Sequence, residues 1–151
     1  MEIINGERLV LGTCYYPEHW DESLWRDDLK RMLENGIEVI RIAEFAWSKI
    51  ERYEGVFNYD FFDRFLDVAA DMGMKVIFCT PTATPPAWLT EKYPEVLNAN
   101  MDGVLYRHGG RRHYNYNSPK YQELTRIIVE KSASHYAKHP AIIGWQIDNE
   151  I

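Results

Sequence analysis

The sequence has 151 residues, of which 46% are hydrophobic and 14% aromatic, so the chain can bury the core of one domain and is not expected to be disordered. Its formal net charge of −6 argues against a nucleic acid or an anionic membrane as a partner, because such surfaces attract basic proteins. No apolar run reaches the ~18 residues of a membrane span and no secretory signal pattern is visible, so a cytoplasmic location is expected.

The first half of the chain predicts alternating strands and helices. Apolar runs at 9–15, 39–42 and 75–79 predict three strands. Between them, two stretches carry apolar residues at helical spacing. Asp21 is the expected cap of the first helix and Asn35-Gly36 its stop, whereas Asn58 is the expected cap of the second and Gly73 its stop.

The second half contains one long connection, one helix and one strand. Residues 80–118 are rich in Pro, Asn, Gly and aromatic residues, with a local helical pattern at 87–91, and a connection of this length is usually functional. Ser118-Pro119 is a typical helix start, and Lys138-His139-Pro140 is expected to end that helix. The run 141–147 predicts a fourth strand.

Strands that alternate with helices indicate a parallel α/β fold in which both faces of the sheet are covered. A doubly wound nucleotide-binding sheet is one candidate, but it usually carries a glycine-rich loop after the first strand, where this chain has "CYYPEHW" at 14–20. The other candidate is the (β/α)8 TIM barrel, which needs about 250 residues. We therefore predict that residues 1–151 form the N-terminal half of such a barrel.

The two cysteines, Cys14 and Cys79, each lie in or at the end of an apolar run. This placement predicts two buried free thiols in a reducing compartment rather than a disulfide.

Polar residues follow the predicted strands, at the end where TIM barrels carry their active sites. These residues are Tyr15, Tyr16, Glu18 and His19 after the first strand, Arg41 and Glu44 at the second, and Asn149 and Glu150 after the fourth. Carboxylates, amides, guanidinium groups and aromatic rings suit an uncharged polyhydroxylated ligand such as a sugar. A pair of carboxyl groups cleaves glycosidic bonds, and burial near Trp145 is expected to raise the pKa of Glu150, as a proton donor requires.

Five motifs carry a resemblance to a known family. They are "GTCYYPEHW" (12–20), "RIAEFAW" (41–47), "TPTATPPAWL" (80–89), "GGRRHYNYNSP" (109–119) and "GWQIDNE" (144–150). In this order they resemble the N-terminal part of the catalytic barrel of the β-galactosidases of glycoside hydrolase family 42, from about residue 11 to the last residue.

The resemblance implies a retaining β-galactosidase that hydrolyses terminal non-reducing β-D-galactosyl residues on a TIM barrel. It implies that Glu150 is the acid/base, that Asn149 binds the sugar beside the scissile bond, and that Arg111 contacts the galactosyl unit. Arg41 matches, more loosely, an arginine near the nucleophile. The nucleophile belongs to the seventh strand of the family, outside residues 1–151, so we expect this chain to be a fragment that is inactive alone.

The same resemblance bears on cofactors and partners. Some family members bind zinc through a cysteine cluster whose first ligand position holds Asn115 here, so no metal is expected, and no organic cofactor is implied. The expected partner is a small-molecule galactoside, with no nucleic acid and no membrane. The family also allows a homo-oligomer of the full-length enzyme.

Several assignments have structural alternatives. Arg41 could instead pair with Glu38 or Asp148, and Arg111 could form an ordinary loop salt bridge. Strict strand alternation would turn Asn149 away from the face of Glu150, so a bulge or a distorted strand end is expected there.

The sequence leaves two alternative functions to consider besides a β-galactosidase. A non-catalytic carbohydrate-binding barrel fragment is the main one. A metal-dependent barrel hydrolase is disfavoured, because it would usually carry a His-x-His pair at the end of the first strand. The role of His113 stays open.

Overall fold

The computed structural model describes residues 9–149, and these divide into two compact units. The sheet unit comprises 9–43, 59–79 and 136–147, and the loop unit comprises 44–58, 80–135 and 148–149. The chain therefore leaves and re-enters each unit more than once, as a strand–helix repeat with long connections must.

The described residues contain strands, α-helices and single turns of 3-10 helix. The strands are β1 (Leu11–Cys14), β2 (Ile37–Ile42), β3 (Glu51–Tyr53), β4 (Val56–Phe57), β5 (Lys75–Cys79) and β6 (Ile142–Gln146). The α-helices are α1 (Trp25–Glu34), α2 (Trp47–Ile50), α3 (Asp60–Asp71), α4 (Ala87–Lys92) and α5 (Pro119–Tyr136). The 3-10 turns are Pro17–His19, Glu22–Leu24, Pro81–Ala83 and Pro94–Val96.

The sheet unit is built on one parallel sheet with the strand order β1-β2-β5-β6. Cys14 pairs with Arg41 on β2, Arg41 pairs with Ile77 on β5, and Ile77 pairs with Gly144 on β6. The four predicted strands and the helices between them are confirmed, and β1 and β6 form the two edges of the sheet within residues 9–149.

Apolar side chains at helical spacing hold α1 and α3 in the sheet unit. Leu29 of α1 and Phe62, Phe65 and Leu66 of α3 are completely buried. The ring of Phe65 contacts the ring of Trp25 edge-on at 5.2 Å between centroids. Complete burial of a leucine or phenylalanine side chain contributes about 1.5 to 3 kcal/mol, so these residues stabilise the unit substantially.

The helix boundaries follow the sequence signals with one correction. Asp21 accepts a hydrogen bond from the backbone N–H of Ser23, as a cap should, but it begins a 3-10 turn that leads into α1. Gly36 ends the helical region with φ +79°, in the left-handed conformation that glycine adopts without strain. The cap position of α3 is held by Tyr59, not by Asn58, and the side chain of Tyr59 makes no capping hydrogen bond.

Within residues 9–149, the prediction that every strand is covered on both faces is wrong for β1. β1 is exposed along its length, whereas Ile40 and Ile42 of β2 are completely buried. Both cysteines are free thiols and Cys79 is buried as predicted, but Cys14 is exposed. Its strand has a neighbour on one side alone within the described residues, which leaves the thiol open to solvent.

The loop unit begins with a hairpin that the sequence did not reveal. β3 and β4 pair in antiparallel fashion around a turn at Glu54-Gly55. The buried carboxylate of Glu51 accepts hydrogen bonds from Trp47 Nε1 at 2.8 Å and from the backbone N–H of Gly55 at 2.8 Å. One buried polar side chain thus bonds both the helical turn before the hairpin and the turn within it.

The long connection and α5 complete the loop unit. The local helix predicted at 87–91 is confirmed as α4. Ser118 Oγ accepts a hydrogen bond from the N–H of Tyr121, which confirms the predicted start of α5. Tyr121 in turn stacks on Tyr114 at 4.9 Å between centroids and donates its hydroxyl hydrogen to the carbonyl of Thr82 at 2.8 Å. One residue of α5 therefore joins two distant parts of the connection.

Within residues 9–149, no helix combines the length and the apolar character needed to cross a bilayer. The cytoplasmic location stays a prediction.

Candidate active site

Arg41 lies on β2 in the sheet unit, and its side chain contacts residues of β1 and β6. Its guanidinium donates a hydrogen bond to Gln146 Oε1 at 2.5 Å and lies 3.0 Å from the sulfur of Cys14. These contacts hold the guanidinium near the C-terminal ends of the strands, and the alternative pairing with Glu38 or Asp148 stays a prediction. The role of Arg41 as a substrate ligand stays a prediction.

The loop unit contains a cavity of about 450 Å³. Glu44, Arg111 and Asn149 lie in its wall, together with the apolar side chains of Phe45 and Pro85. The structure therefore brings together two of the predicted substrate-binding residues and the strand-end carboxylate of Glu44. A carboxylate, a guanidinium and an amide beside apolar surfaces form the mixture that a neutral, hydroxyl-rich ligand requires.

The cavity wall that carries Arg111 is a tight loop. Gly109 and Arg112 both adopt positive φ, at 86° and 54°. The backbone N–H of Gly110 donates to the carbonyl of Arg107 at 3.3 Å, and the ring of His113 contacts the carbonyl of Gly110 through Nδ1 at 2.6 Å. The loop is therefore shaped by its own short-range bonds.

Two longer-range contacts anchor this loop. The carbonyl of His113 accepts a hydrogen bond from the N–H of Asn98 at 2.7 Å, and His108 Nδ1 lies 3.0 Å from Thr90 Oγ1. Burial, and then the neighbouring His113, lower the pKa of His108, which favours its neutral ring. A loop fixed at both ends can hold a guanidinium in one place without rearrangement on binding.

The end of β6 is distorted, as predicted. Asp148 has φ +54° and is buried, and its backbone N–H donates to Thr80 Oγ1 at 2.7 Å. Its carboxylate accepts a hydrogen bond from the N–H of Asn149 at 2.6 Å. This left-handed residue ends the alternation of the chain after β6, and the carboxylate of Asp148 positions the backbone of Asn149.

Glu150, the predicted acid/base, lies outside the described residues, so its role stays a prediction. His113 and Thr84, which the sequence reasoning did not assign, also lie in the cavity wall. His113 belongs to the quoted motif at 109–119, but nothing in the sequence distinguishes it from the adjacent arginines. In residues 9–149, no three or more His, Cys, Asp or Glu side chains form a group that could hold a metal ion, and the expectation of a metal-free site stays a prediction.

Comparison with known proteins decides the family. The model of the family described as β-galactosidase, glycoside hydrolase family 42, matches residues 14–151. The chain belongs to glycoside hydrolase family 42. β-Galactosidase Bga of Halorubrum lacusprofundi is 44% identical over 140 residues, which are 93% of this chain and 20% of that protein. β-Galactosidase BgaA of a Thermus species is 46% identical over 141 residues, again 93% of this chain and 22% of the relative.

Solved structures of family 42 agree with the sequence matches. The β-galactosidase from the psychrophilic Marinomonas ef1 superimposes with a TM-score of 0.90 at 44% identity, covering 94% of this chain and 22% of that one. The enzyme of Halorubrum lacusprofundi superimposes with a TM-score of 0.90 at 43% identity, covering 95% and 21%. The predicted fold class, the N-terminal part of a TIM barrel with parallel strands, is confirmed. The chain spans about a fifth of the length of the relatives it matches.

Proposed function

We propose that this chain supplies part of the active site of a retaining β-galactosidase that hydrolyses terminal non-reducing β-D-galactosyl residues. The observation that carries the proposal is the cavity of the loop unit, in whose wall Arg111 and Asn149 lie together with Glu44. The relatives named β-galactosidases support the choice of galactosides as substrates. Residues 1–151 then form the N-terminal half of the barrel, and a small-molecule galactoside is the partner.

The proposed mechanism uses two carboxyl groups. Glu150 donates a proton to the glycosidic oxygen while a glutamate outside residues 1–151 attacks the anomeric carbon and forms a galactosyl ester. Glu150 then removes a proton from water, which attacks the anomeric carbon and releases galactose with retained configuration. In the complete enzyme the two carboxyl groups should lie about 5 to 5.5 Å apart.

The remaining residues bind and orient the sugar. Arg111 donates charge-assisted hydrogen bonds to galactosyl hydroxyls, and the Asn149 amide binds the hydroxyl next to the scissile bond. Asp148 contributes by holding the backbone of Asn149. Arg41 is proposed to act near the nucleophile, where its contact with Gln146 keeps the guanidinium in place.

The test is Glu150→Ala in the complete enzyme. Hydrolysis of a galactoside with a poor leaving group should fall by about 10² to 10⁴, because proton donation is lost. A dinitrophenyl galactoside, whose leaving group needs no proton, should still form the galactosyl-enzyme. Added azide should then restore turnover and give β-galactosyl azide, because azide needs no general base.

Glu91→Gln, at an exposed position of α4, is the control and should leave the rates unchanged. Unchanged hydrolysis by Glu150→Ala would reject the assignment and favour the carbohydrate-binding alternative. The 151-residue chain alone is expected not to cleave a nitrophenyl galactoside, because the nucleophile is proposed to lie outside it, and measurable cleavage by this chain would contradict that part of the proposal.

A further inference from the structure

His113 has a buried ring nitrogen, Nε2, that forms no hydrogen bond within residues 9–149. The side chain lies in the wall of the cavity and is 4% exposed. Nδ1 lies 2.6 Å from the carbonyl oxygen of Gly110. Because a carbonyl oxygen can only accept, Nδ1 carries the hydrogen, and in the neutral ring Nε2 is therefore a hydrogen-bond acceptor. Among residues 9–149, Nε2 is buried and has no hydrogen-bond partner.

The surroundings of His113 hold the ring in this orientation. The ring of His108 contacts it edge-on at 4.9 Å between centroids, and the ring of Tyr114 does so at 5.6 Å. Rotating the imidazole to satisfy Nε2 would break the contact with Gly110. A buried acceptor without a partner is destabilising, and such atoms are rare in folded proteins unless a ligand or water completes them.

A second residue of the same cavity wall shows the same feature. Thr84 Oγ1 is buried and lacks a hydrogen-bond partner within the described residues. A hydroxyl group of a ligand can donate to an imidazole nitrogen and can also accept from a threonine hydroxyl. Two open polar atoms beside apolar surfaces thus favour a polyhydroxylated ligand over an apolar one.

We propose that Nε2 of His113 accepts a hydrogen bond from one hydroxyl of the bound galactosyl unit, which makes His113 a specificity-determining residue as well as the anchor of the Arg111 loop. The inference rests on the proposed galactosidase function and adds a sugar contact to it. Nδ1 holds the loop through the carbonyl of Gly110, and Nε2 binds the substrate hydroxyl. The two roles use different ring atoms, so substitutions can separate them.

The test combines two variants of the complete enzyme with deoxygenated substrates. His113→Asn places an amide near the position of Nδ1, so it can still donate to Gly110 but has no group at the position of Nε2. It should lower kcat/KM for nitrophenyl galactoside about five- to tenfold. The 2-, 3-, 4- and 6-deoxy nitrophenyl galactosides are then compared, because the nitrophenyl group itself has no hydroxyl.

For one of the four deoxy substrates, wild type and His113→Asn should have equal kcat/KM, because the hydroxyl that His113 binds is already missing. An equal loss on all five substrates, or no loss on any, would overturn the proposal, since the first result indicates a purely structural role. His113→Gln can restore an acceptor near Nε2 but loses the bond to Gly110, so it should lower kcat/KM by one common factor on all five substrates, and the ratios between substrates should match those of wild type. It provides the comparison if His113→Asn does not fold. His135→Asn on α5 is the control. A wild-type enzyme inactive on every galactoside would instead reject the proposed function.

Discussion

The sheet unit and the loop unit are stabilised by different interactions. In the sheet unit, completely buried apolar side chains such as Phe62 and Ile40 recur at the spacing of a helix or a strand. In the loop unit, single polar groups such as Glu51 and His113 satisfy backbone atoms that no helix or sheet pairs. The sheet unit therefore contains the apolar scaffold together with Arg41, whereas the loop unit contains the cavity and the other residues that are proposed to contact a substrate.

The largest expected effect is the loss of stability when a side chain is removed from the apolar core of the sheet unit. Phe62→Ala removes a completely buried ring that lies edge-on to Phe78 at 5.8 Å between centroids. The substitution should lower the free energy of unfolding by about 3 to 5 kcal/mol. The KM of the folded enzyme should not change. Denaturant unfolding and steady-state kinetics of the complete enzyme check both parts.

Leu24→Ala is the matched control for this core substitution. Leu24 is 44% exposed, so its truncation should cost well under half as much. If Phe62→Ala raised KM in an enzyme that is still folded, the proposed division between scaffold and binding surface would be wrong.

The next substitution, in the loop unit, should lower activity without lowering stability. Arg111→Gln should lower kcat/KM for a galactoside about a hundredfold, which corresponds to about 3 kcal/mol, because a charge-assisted hydrogen bond to the sugar is lost. The thermal midpoint should stay close to that of wild type, because the side chain of Arg111 is exposed. Arg111→Lys should be intermediate, since it keeps the charge without the planar fork.

Arg107→Gln serves as the control, because Arg107 is an exposed arginine of the same loop that does not line the cavity. Equal losses for the two arginine variants would indicate a general effect of charge rather than a contact between Arg111 and the substrate.

The sequence predicted the sheet unit well because burial dictates its pattern. Apolar runs located β1, β2, β5 and β6, and glycine marked the end of α1 at Gly36. The hairpin at 51–57 was missed because the hydrogen bonds of Glu51 with Trp47 Nε1 and the N–H of Gly55 form only in the folded chain. The local sequence pattern gives no sign of them. The exposure of Cys14 was missed because an apolar run does not reveal that its strand has one neighbour within residues 9–149.

The candidate site was predictable to the extent that topology fixes it. The strand-end rule selected Glu44 and Asn149, and the family resemblance selected Arg111, and all three line one cavity. The open nitrogen of His113 could not be predicted. It depends on which ring nitrogen contacts the carbonyl of Gly110, a consequence of the folded loop.

A smaller effect concerns the polar core of the loop unit. Glu51→Gln turns an amide N–H towards one of the two donors that the carboxylate now satisfies, Trp47 Nε1 and the N–H of Gly55. The cost should be about 1 to 3 kcal/mol of unfolding free energy. Glu54→Gln, in the same hairpin, removes an exposed ion pair with Lys92 and should have little effect.

The pH dependence of stability in wild type and in Glu51→Gln gives a second test. Burial raises the pKa of Glu51 above its ordinary value of 4.5 in the folded state. Its contribution to stability is therefore complete below pH 4.5 and is lost as pH rises through the raised pKa. Because glutamine does not titrate, the stability difference between wild type and Glu51→Gln should narrow with rising pH. A difference that widens would contradict the direction of the shift.

The smallest effect, the cost in stability of replacing a left-handed glycine by alanine, should be the same in both units. Gly36 after α1 and Gly55 in the hairpin have φ values of +79° and +77°, and a Cβ at either position would meet no atom within 4 Å. Alanine at either position should therefore cost about 1 kcal/mol, entirely through left-handed backbone strain. Gly144→Ala, where φ is not positive and the nearest atom is 4.0 Å away, should be close to neutral. Chemical unfolding of the three variants measures these costs, and a clear difference between Gly36→Ala and Gly55→Ala would mean that the surrounding unit, not the local backbone, sets them.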